Sequence, residues 1–355
     1  MVMIKATVNF KAIQSNIKKL RKTLSPGVRI CAVVKANAYS LGDVIVANEV
    51  QANVDFFAVA TIAEAVRLRS GNITKPIILF GVCEDVKTAT ANNIIISVNS
   101  VSEIKALSKY LENSNKKCKI HIKVNTGMNR YGITSIWQLR SIISVVRANP
   151  SIKIDGLYTQ FAFAIDDINE IEKQIKRFAP FRSIVRSHSR TAIIHAACSN
   201  NSGYVAAQFD MVRIGKLMYG GYDGYRTAIK VTSKITAVQR LRSGAKVGYN
   251  ATEGVIRPTT VAIVPCGYAD LVHYRYSNTH KVLVGSQYCK ILGRVCMDTI
   301  IIDVTGVKNP IGKTVTIIGE RKGLTIMEIA RNTHTIACSI LCSLNFQRSE
   351  VIYRK

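Results

Sequence analysis

A lysine ends the first strongly apolar run of the chain. Residues 30–34 read Ile-Cys-Ala-Val-Val, and Lys35 follows them in the segment Lys-Ala-Asn-Ala-Tyr that ends at Tyr39. Burial beside such a run removes water from an ammonium group, and a desolvated lysine can attack a carbonyl carbon to form a Schiff base. Taken by itself, the residue is better explained as a lysine that reaches solvent from the end of a strand.

Groups suited to anions follow three later apolar runs. Arg130 ends the segment Thr-Gly-Met-Asn-Arg, where a guanidinium can hold a carboxylate. Ser199 follows another run, and Arg213 and Gly215 lie at the end of a third; a hydroxyl and backbone N–H groups near a glycine are typical phosphate donors. A Schiff-base lysine with a phosphate site indicates pyridoxal phosphate, and Arg213 would face its ring. Without the other motifs, Arg213 is equally well explained as a phosphate-binding or surface arginine.

Eight apolar runs would position these groups. Most are followed by helical patterns, such as residues 101–111, which are apolar at positions 101, 104, 107 and 111. Continuous apolar runs that alternate with helices predict an α/β fold, an N-terminal (β/α)8 TIM-type barrel with its active site at the carboxyl ends of the strands. The runs cover residues 30–34, 56–60, 76–80, 94–98, 119–124, 154–158, 192–195 and 211–213.

The sequence pattern changes after about residue 233. The spacing of apolar residues that is typical of helices fades, and alternating β-branched residues, which are typical of strands, replace it. We therefore expect a barrel over residues 1–233, which carries the lysine, and a β-rich C-terminal domain over residues 234–355. Turns are expected near Gly244, Gly285 and Gly312, and a short helix over residues 326–330. The predicted strands of this domain are residues 231–238, 259–264, 282–295, 299–304 and 314–318.

Composition excludes several classes of protein. The 355 residues are 48% hydrophobic, too apolar for a disordered chain, and no apolar run reaches the length of a membrane-spanning helix. The net charge of +27 reflects a general scarcity of acidic residues, because the basic clusters lack interleaved aromatics; nucleic-acid and membrane partners are not expected. No secretion signal is apparent, and the nine cysteines lack metal-ligand spacing. We expect a cytoplasmic protein with reduced thiols and no metal.

Two motifs in the β-rich region complete a recognisable set. Each motif taken alone would be explained as a turn beside a strand. Together with three motifs in the barrel they resemble the alanine racemase family, in which the motifs have the same order and spacing. The five segments are residues 33–39, 126–130, 212–215, 267–270 and 293–298. The resemblance extends to nearly the whole chain. It implies a barrel, a C-terminal β-domain, pyridoxal 5'-phosphate as cofactor, a small amino-acid substrate, and a head-to-tail homodimer with shared active sites.

The resemblance also implies a two-base mechanism. Lys35 would hold the cofactor and act as base on one face of the alanine Cα, and Tyr268 from the partner subunit would act on the opposite face. A pair is needed because a single base tends to return the proton to the side it left. The product would be D-alanine, which bacteria build into cell-wall peptidoglycan.

The remaining site residues are assigned by the same resemblance. Arg213 would hydrogen-bond the pyridine nitrogen and, because arginine stays protonated, leave that nitrogen without a proton. Arg130 would steady the ring hydroxyl side and the substrate, and the Met297 backbone N–H would meet the substrate carboxylate. The other cofactor-binding residues would be Tyr39, Ser199, Gly215 and Lys216. The supporting residues would be Lys123, Gln160 and Asp298; Lys123 matches a lysine that is carbamylated in some members.

Several positions depart from the family pattern. Gln160 replaces a histidine that supports the tyrosine base, and a glutamine cannot carry the proton charge. Cys198 replaces an asparagine, Leu271 a glycine, and Cys338 a phosphate-binding tyrosine; Ser40 and Leu41 replace a Gly-His pair. These changes keep both bases but weaken their support.

Three alternatives stay open at this point. They are a racemase for another small amino acid such as serine, a degenerate cofactor-binding protein with little activity, and a related barrel decarboxylase.

Overall fold

A computed structural model describes residues 3–355. Its contacts divide the chain into two compact units, Lys18–Gly215 and a second unit made of residues up to Ile17 together with Lys216–Lys355. We call them the barrel unit and the β-rich unit.

The strands, in chain order, are β1 (Lys5–Asn9), β2 (Arg29–Val33), β3 (Phe56–Val59), β4 (Ile77–Leu79), β5 (Ile94–Val98), β6 (Cys118–Val124), β7 (Ile152–Thr159), β8 (Ile193–Cys198), β9 (Met211–Ile214), β10 (Ile229–Lys234), β11 (Ala237–Leu241), β12 (Lys246–Val247), β13 (Glu253–Gly254), β14 (Thr259–Val264), β15 (Lys281–Val284), β16 (Gln287–Lys290), β17 (Ile300–Asp303), β18 (Thr314–Ile318) and β19 (Glu350–Arg354).

The helices are α1 (Phe10–Arg21), α2 (Lys35–Tyr39), α3 (Asp43–Val50), α4 (Ile62–Ser70), α5 (Val86–Ala91), α6 (Val101–Glu112), α7 (Ile136–Ala148), α8 (Ile168–His188), α9 (Val205–Gln208), α10 (Ile326–Asn332) and α11 (Ala337–Cys342). Short 3-10 turns cover Gln51–Asn53, Ile165–Asp167, Tyr249–Ala251 and Tyr274–Tyr276.

Strands β2 to β9 form a closed parallel barrel in which β9 pairs with β2. The predicted fold is confirmed, and each of the eight apolar runs coincides with one barrel strand. Strands β3, β4 and β5 are buried along their whole length, because a parallel barrel covers both faces of each strand. An apolar cluster includes Val33, Ala58, Ile78, Ile95 and Met211, one residue from each of five strands. Because the barrel is closed and its strands are parallel, their carboxyl ends lie in one ring.

Polar caps start several barrel helices. The hydroxyls of Thr61, Ser100 and Ser135 accept backbone N–H groups at the starts of α4, α6 and α7. Each cap lies in the segment that leaves the carboxyl end of a barrel strand. The caps therefore fix the residue at which each of these segments becomes a helix.

The β-rich unit contains three sheets. Six strands pair in the order β16-β15-β18-β10-β1-β19, three in the order β11-β14-β17, and two as β12-β13. A small core of Val247, Val255, Val261 and Leu292 lies within this unit. The predicted short helix is present as α10, and the turn at Gly285 joins β15 to β16.

The division of the chain differs from the expected boundary at residue 233. Strand β10 pairs with β1 on one side and β18 on the other, so residues 229–234 belong to the β-rich unit. Strand β1 joins the same sheet, which places residues 5–9 in the β-rich unit. The alternating run 231–238 is two strands in two different sheets rather than one. Pairing between distant segments, which local periodicity does not encode, explains these differences.

Within residues 3–355, no helix has both the length and the apolar character that crossing a membrane requires.

Candidate active site

The segment after β2 winds as a left-handed turn. Residues 36–40 have φ values between 52° and 70°, and Lys35 stands at the start of the turn. Left-handed helical backbone costs L-residues roughly 1–2 kcal/mol each, so five in succession must be held by their surroundings. The Lys35 side chain is exposed. The chain by itself therefore fits the simpler explanation, a lysine that reaches solvent from the end of a strand, because Lys35 lies in the turn that follows β2.

Hydrogen bonds close the turn on itself and tie down its exit. Ala38 N–H donates to the Val34 carbonyl at 2.8 Å, and Ser40 N–H to the Ala36 carbonyl at 2.9 Å. The Asn37 Oδ1 accepts from Asp43 N–H at 3.0 Å, at the start of α3.

The end of the turn meets the end of β9. A side-chain carbon built on Gly215 would overlap the Tyr39 hydroxyl, so only glycine permits this approach. The Gly215 N–H donates to the Ser199 hydroxyl at 3.2 Å. Three of the predicted phosphate-binding residues, Tyr39, Ser199 and Gly215, are thus brought together from three separate segments.

Arg213 is buried in the barrel with 3% of its surface exposed. Its Nη2 donates to the carbonyls of Ala196 at 2.7 Å and Thr159 at 2.8 Å, and to the Gln160 Oε1 at 3.1 Å. Burial lowers the pKa of the guanidinium from its ordinary value. Gln160, which was expected to support the tyrosine base, contacts Arg213 in this chain, and it does so through a neutral amide.

A pair of buried histidines extends from Arg213 across the barrel interior. Arg213 Nη1 lies 2.8 Å from His195 Nδ1, and His195 Nε2 lies 2.9 Å from His121 Nδ1. Because a guanidinium only donates, His195 must accept at Nδ1 and donate from Nε2, and His121 must then carry its proton on Nε2. That nitrogen is 3.9 Å from an Asp155 carboxylate oxygen. Burial, followed by the charge of Arg213, holds the pKa of His195 well below its usual range, which agrees with a neutral ring.

Positive groups gather at this end of the barrel without acidic partners. Lys123 is 6% exposed, and its pKa is lowered to about 8 by burial and then by the charges of Arg130, Arg213 and Lys35. Across residues 3–355, none of these four cations takes part in an ion pair. Uncompensated charge of this kind is costly to bury and attracts an anionic ligand.

The other predicted base lies in the β-rich unit. Tyr268 is 45% exposed, and its N–H donates to the Cys296 carbonyl at 3.0 Å. Ala269 N–H donates to the Met297 carbonyl at 3.0 Å, so the two motif loops pair through their backbones. A side-chain carbon on Gly267 would overlap the Met297 carbonyl, so the glycine permits this pairing. Tyr268 and Met297 are therefore presented side by side.

One arginine links both motif loops. Arg348 Nε donates to Asp270 at 2.8 Å, and Arg348 Nη1 donates to Asp298 at 2.7 Å. Asp270 is 2% exposed and also accepts from Gly267 N–H at 2.9 Å. This arrangement fixes the loop on which Tyr268 stands, and it gives Asp298 its supporting contact.

One residue expected to bind the cofactor, Lys216, has other surroundings in this structure. Lys216 is the first residue of the β-rich unit, with its Nζ 5.4 Å from the centre of the Tyr222 ring.

Two residues that support the predicted bases were not predicted from the sequence. Arg348 lies in none of the sequence motifs. Glu64 follows Thr61 by three residues, the spacing of a helix capping box, which could have drawn attention to it.

The departures from the family pattern are accommodated locally. The Cys198 N–H donates to Asn201 Oδ1 at 2.7 Å, so an asparagine amide still lies beside this backbone. Leu271 is fully buried. Cys338 lies in α11.

Comparison with known proteins gives a consistent result along the chain. The model of the alanine racemase N-terminal domain matches residues 8–223, and that of the alanine racemase C-terminal domain matches residues 228–353. Alanine racemase 2 of Caldanaerobacter subterraneus subsp. tengcongensis is 32% identical, covering 98% of this chain and 94% of that protein. The alanine racemase of Lactococcus lactis subsp. cremoris is 34% identical, covering 98% of this chain and 97% of that protein.

Solved structures show the same similarity. The alanine racemase of Bacillus anthracis with bound L-Ala-P is 27% identical with a TM-score of 0.89, covering 100% of this chain and 96% of that one. The alanine racemase of Bartonella henselae with covalently bound pyridoxal phosphate is 28% identical with a TM-score of 0.88, covering 99% of this chain and 100% of that one.

Proposed function

This chain belongs to the alanine racemase family, and we propose that Lys35 and Tyr268 are the two bases with which it interconverts L-alanine and D-alanine. It is a pyridoxal-phosphate-dependent amino-acid racemase. The observation that supports the residue assignment is the group of cations made by Lys35 and its neighbours around Lys123, which forms no ion pair among residues 3–355 and suits a phosphate and a carboxylate.

The residues present fit the cofactor. Tyr39, Ser199 and Gly215 form a cradle that a side chain at position 215 would fill, and they would hold the phosphate, with Lys216 as a further contact. Arg213 would face the ring nitrogen, and Arg130 the ring hydroxyl and the substrate. When bound, pyridoxal phosphate supplies the electron sink that makes a proton at Cα removable.

The two bases would move that proton on opposite faces of the substrate. Lys35 would remove or return it on one face, and Tyr268 of the partner subunit on the other. The Met297 backbone N–H would orient the substrate carboxylate toward this pair. Gln160 keeps Arg213 in place through its amide oxygen, but a neutral amide cannot share the proton of a tyrosine base, so we expect turnover below that of relatives with histidine here.

A homodimer would bring the two bases together. Large apolar side chains are exposed on the β-rich unit near Tyr268, among them Met297 at 53%, and such surface suits an interface. The two subunits would pair head to tail and share two sites. All nine cysteines carry free thiols, which supports a cytoplasmic location, where the D-alanine would be made for peptidoglycan.

The first experiment is D-alanine formation from L-alanine by purified protein, with and without added pyridoxal phosphate. A Lys35→Ala variant serves as the control. Product that depends on both lysine and cofactor supports the proposal. If the cofactor binds to the lysine without alanine turnover, a panel including serine would distinguish another racemase from a cofactor-binding protein, and carbon dioxide release would identify a decarboxylase.

A mixing experiment tests the shared site directly. Lys35→Ala and Tyr268→Phe dimers are each expected to be nearly inactive. Random subunit exchange makes about half of the dimers hybrids, and each hybrid holds one site with both bases intact. Recovered activity in the mixture supports bases from two subunits, whereas no recovery despite proven exchange contradicts it.

A further inference from the structure

The left-handed turn that presents Lys35 is held from outside by one buried carboxylate. Glu64 lies in the first turn of α4 and is 8% exposed. Its Oε1 accepts from Ala36 N–H at 2.7 Å, directly after Lys35 in the chain. Its Oε2 accepts from Ala60 N–H at 2.7 Å and Thr61 N–H at 3.2 Å, at the end of β3.

This bridge meets a specific need of the turn. The first N–H groups of any helical turn have no partner within it, and Ala36 is the first residue here with positive φ. An ionised acceptor makes a stronger hydrogen bond than a neutral one, and it can offset part of the cost of left-handed backbone. Without the bridge, the alanine and asparagine residues of the turn would favour ordinary φ values.

We propose that Glu64 is a positioning residue for the cofactor, because it fixes the turn that carries both Lys35 and Tyr39. Lys35 begins the turn, and Tyr39, whose hydroxyl lies against Gly215, ends it. Loss of the bridge would displace the attachment point and the phosphate cradle together. This inference rests on the proposed cofactor site and adds to it a residue that touches neither cofactor nor substrate.

The chain contains a matched control. Glu103 occupies the same position at the start of α6, where it accepts from Asn99 N–H at 2.8 Å and donates its own N–H to Ser100 Oγ at 3.2 Å. Glu64 makes the equivalent contacts with Ala60 and Thr61. The hydrogen bonds of Glu103 stay within its own loop among residues 3–355, whereas Glu64 also reaches Ala36. Glu64→Gln and Glu103→Gln therefore weaken similar caps, and only the first weakens the link to the turn.

The test compares these two variants in the full-length protein. Pyridoxal phosphate is titrated into apoprotein and followed by the visible absorbance of the lysine-bound form. Hydrogen–deuterium exchange is measured on a peptide covering residues 34–41. We expect Glu64→Gln to bind the cofactor about 10- to 100-fold more weakly than Glu103→Gln, the range for losing one hydrogen bond to a charged group. Exchange over the turn should be faster in Glu64→Gln alone.

A second change separates positioning from general stability. Glycine adopts positive φ without the penalty of alanine, and the Ala36 side chain is exposed. Ala36→Gly should therefore restore part of the cofactor affinity of Glu64→Gln, although it adds no hydrogen bond. If Glu64→Gln does not fold, Glu64→Asp keeps the charge but is too short to span both segments, and the same two measurements apply.

The outcomes are distinct. Equal affinity and equal exchange in Glu64→Gln and Glu103→Gln would overturn the inference while leaving the racemase proposal intact. Failure of the parent protein to take up cofactor at Lys35 would instead overturn the proposed function.

Discussion

The two units of the molecule hold their predicted bases in opposite ways. In the barrel unit, Lys35 stands on a left-handed turn, and in the described part of the chain neither it nor its neighbouring cations form an ion pair. In the β-rich unit, Tyr268 stands on a loop whose backbone is paired and whose buried Asp270 is matched by Arg348. The barrel end thus needs an anionic ligand to balance its charge, whereas the tyrosine end is balanced already. In the proposed dimer, the cofactor would therefore organise the first end, and the partner subunit would complete the second.

The largest expected effect is a loss of catalytic rate, without a loss of stability, when the hydroxyl group of Tyr268 is removed. Tyr268→Phe should lower kcat by roughly 10²- to 10⁴-fold, the usual contribution of a general acid–base group. Because the side chain is 45% exposed, the midpoint of thermal unfolding and the affinity for pyridoxal phosphate should stay close to those of the parent. Isotope exchange at Cα, started separately from L- and D-alanine, checks this. Equal residual exchange from both enantiomers would contradict a one-face role for the tyrosine.

Arg348→Ala tests whether the tyrosine loop is balanced by charge. It leaves the buried Asp270 carboxylate without its cation, which should lower the free energy of unfolding. The rate should fall because the loop loses its anchor, while cofactor affinity in the barrel stays unchanged. Denaturant unfolding and cofactor titration on the same preparation measure both quantities. A loss of cofactor affinity would contradict a role of Arg348 that is confined to the tyrosine loop.

Anion binding should stabilise the barrel end. Pyridoxal phosphate at a hundred times its Kd should add about 2.7 kcal/mol to the free energy of unfolding, and inorganic phosphate should give a smaller shift in the apoprotein. Thermal unfolding of apoprotein in phosphate and in chloride at matched ionic strength provides the measurement. If phosphate and chloride act alike, the cations do not form a site that prefers phosphate.

Lys123 allows the smallest and most specific test. Its pKa is lowered to about 8 in the folded protein. Below that pH the folded state carries a buried charge, whereas in the unfolded chain the same charge is exposed to water. The free energy of unfolding of the parent protein should therefore rise with pH between about 8 and the ordinary lysine pKa. In that range the unfolded chain binds more protons than the folded protein does. Lys123→Met should therefore be more stable than the parent at pH 7, by about 1–3 kcal/mol, and lose this advantage by about pH 10.

These measurements need buffers free of carbon dioxide, because the neutral amine would also be the form that becomes carbamylated. Labelled bicarbonate added at pH 8 or above, followed by NMR, tests that modification separately. A stability difference that does not change with pH would contradict the assigned cause.

Much of the fold and of the candidate site could be predicted from the sequence. The barrel strands were recognisable because parallel strands are covered on both faces and so appear as continuous apolar runs. Lys35 was predicted because a lysine is unusual at the end of such a run, and Arg130 and Arg213 because a guanidinium suits an anionic ligand or the cofactor ring. The reach of β1 into the C-terminal sheet was missed, because a five-residue strand with ordinary alternation does not identify its partner.

The sequence by itself determined which groups are present, in what order, and that eight buried strands would end at one rim. Only the tertiary structure decided how those groups are held. The Glu64 bridge to the turn, the chain from Arg213 through His195 to His121, and the hydrogen bonds from Arg348 to the two motif loops all join residues far apart in the sequence. Periodicity reports the burial of a segment and is silent on its partners, because a hydrogen bond between distant residues exists only once packing has brought its donor and acceptor together.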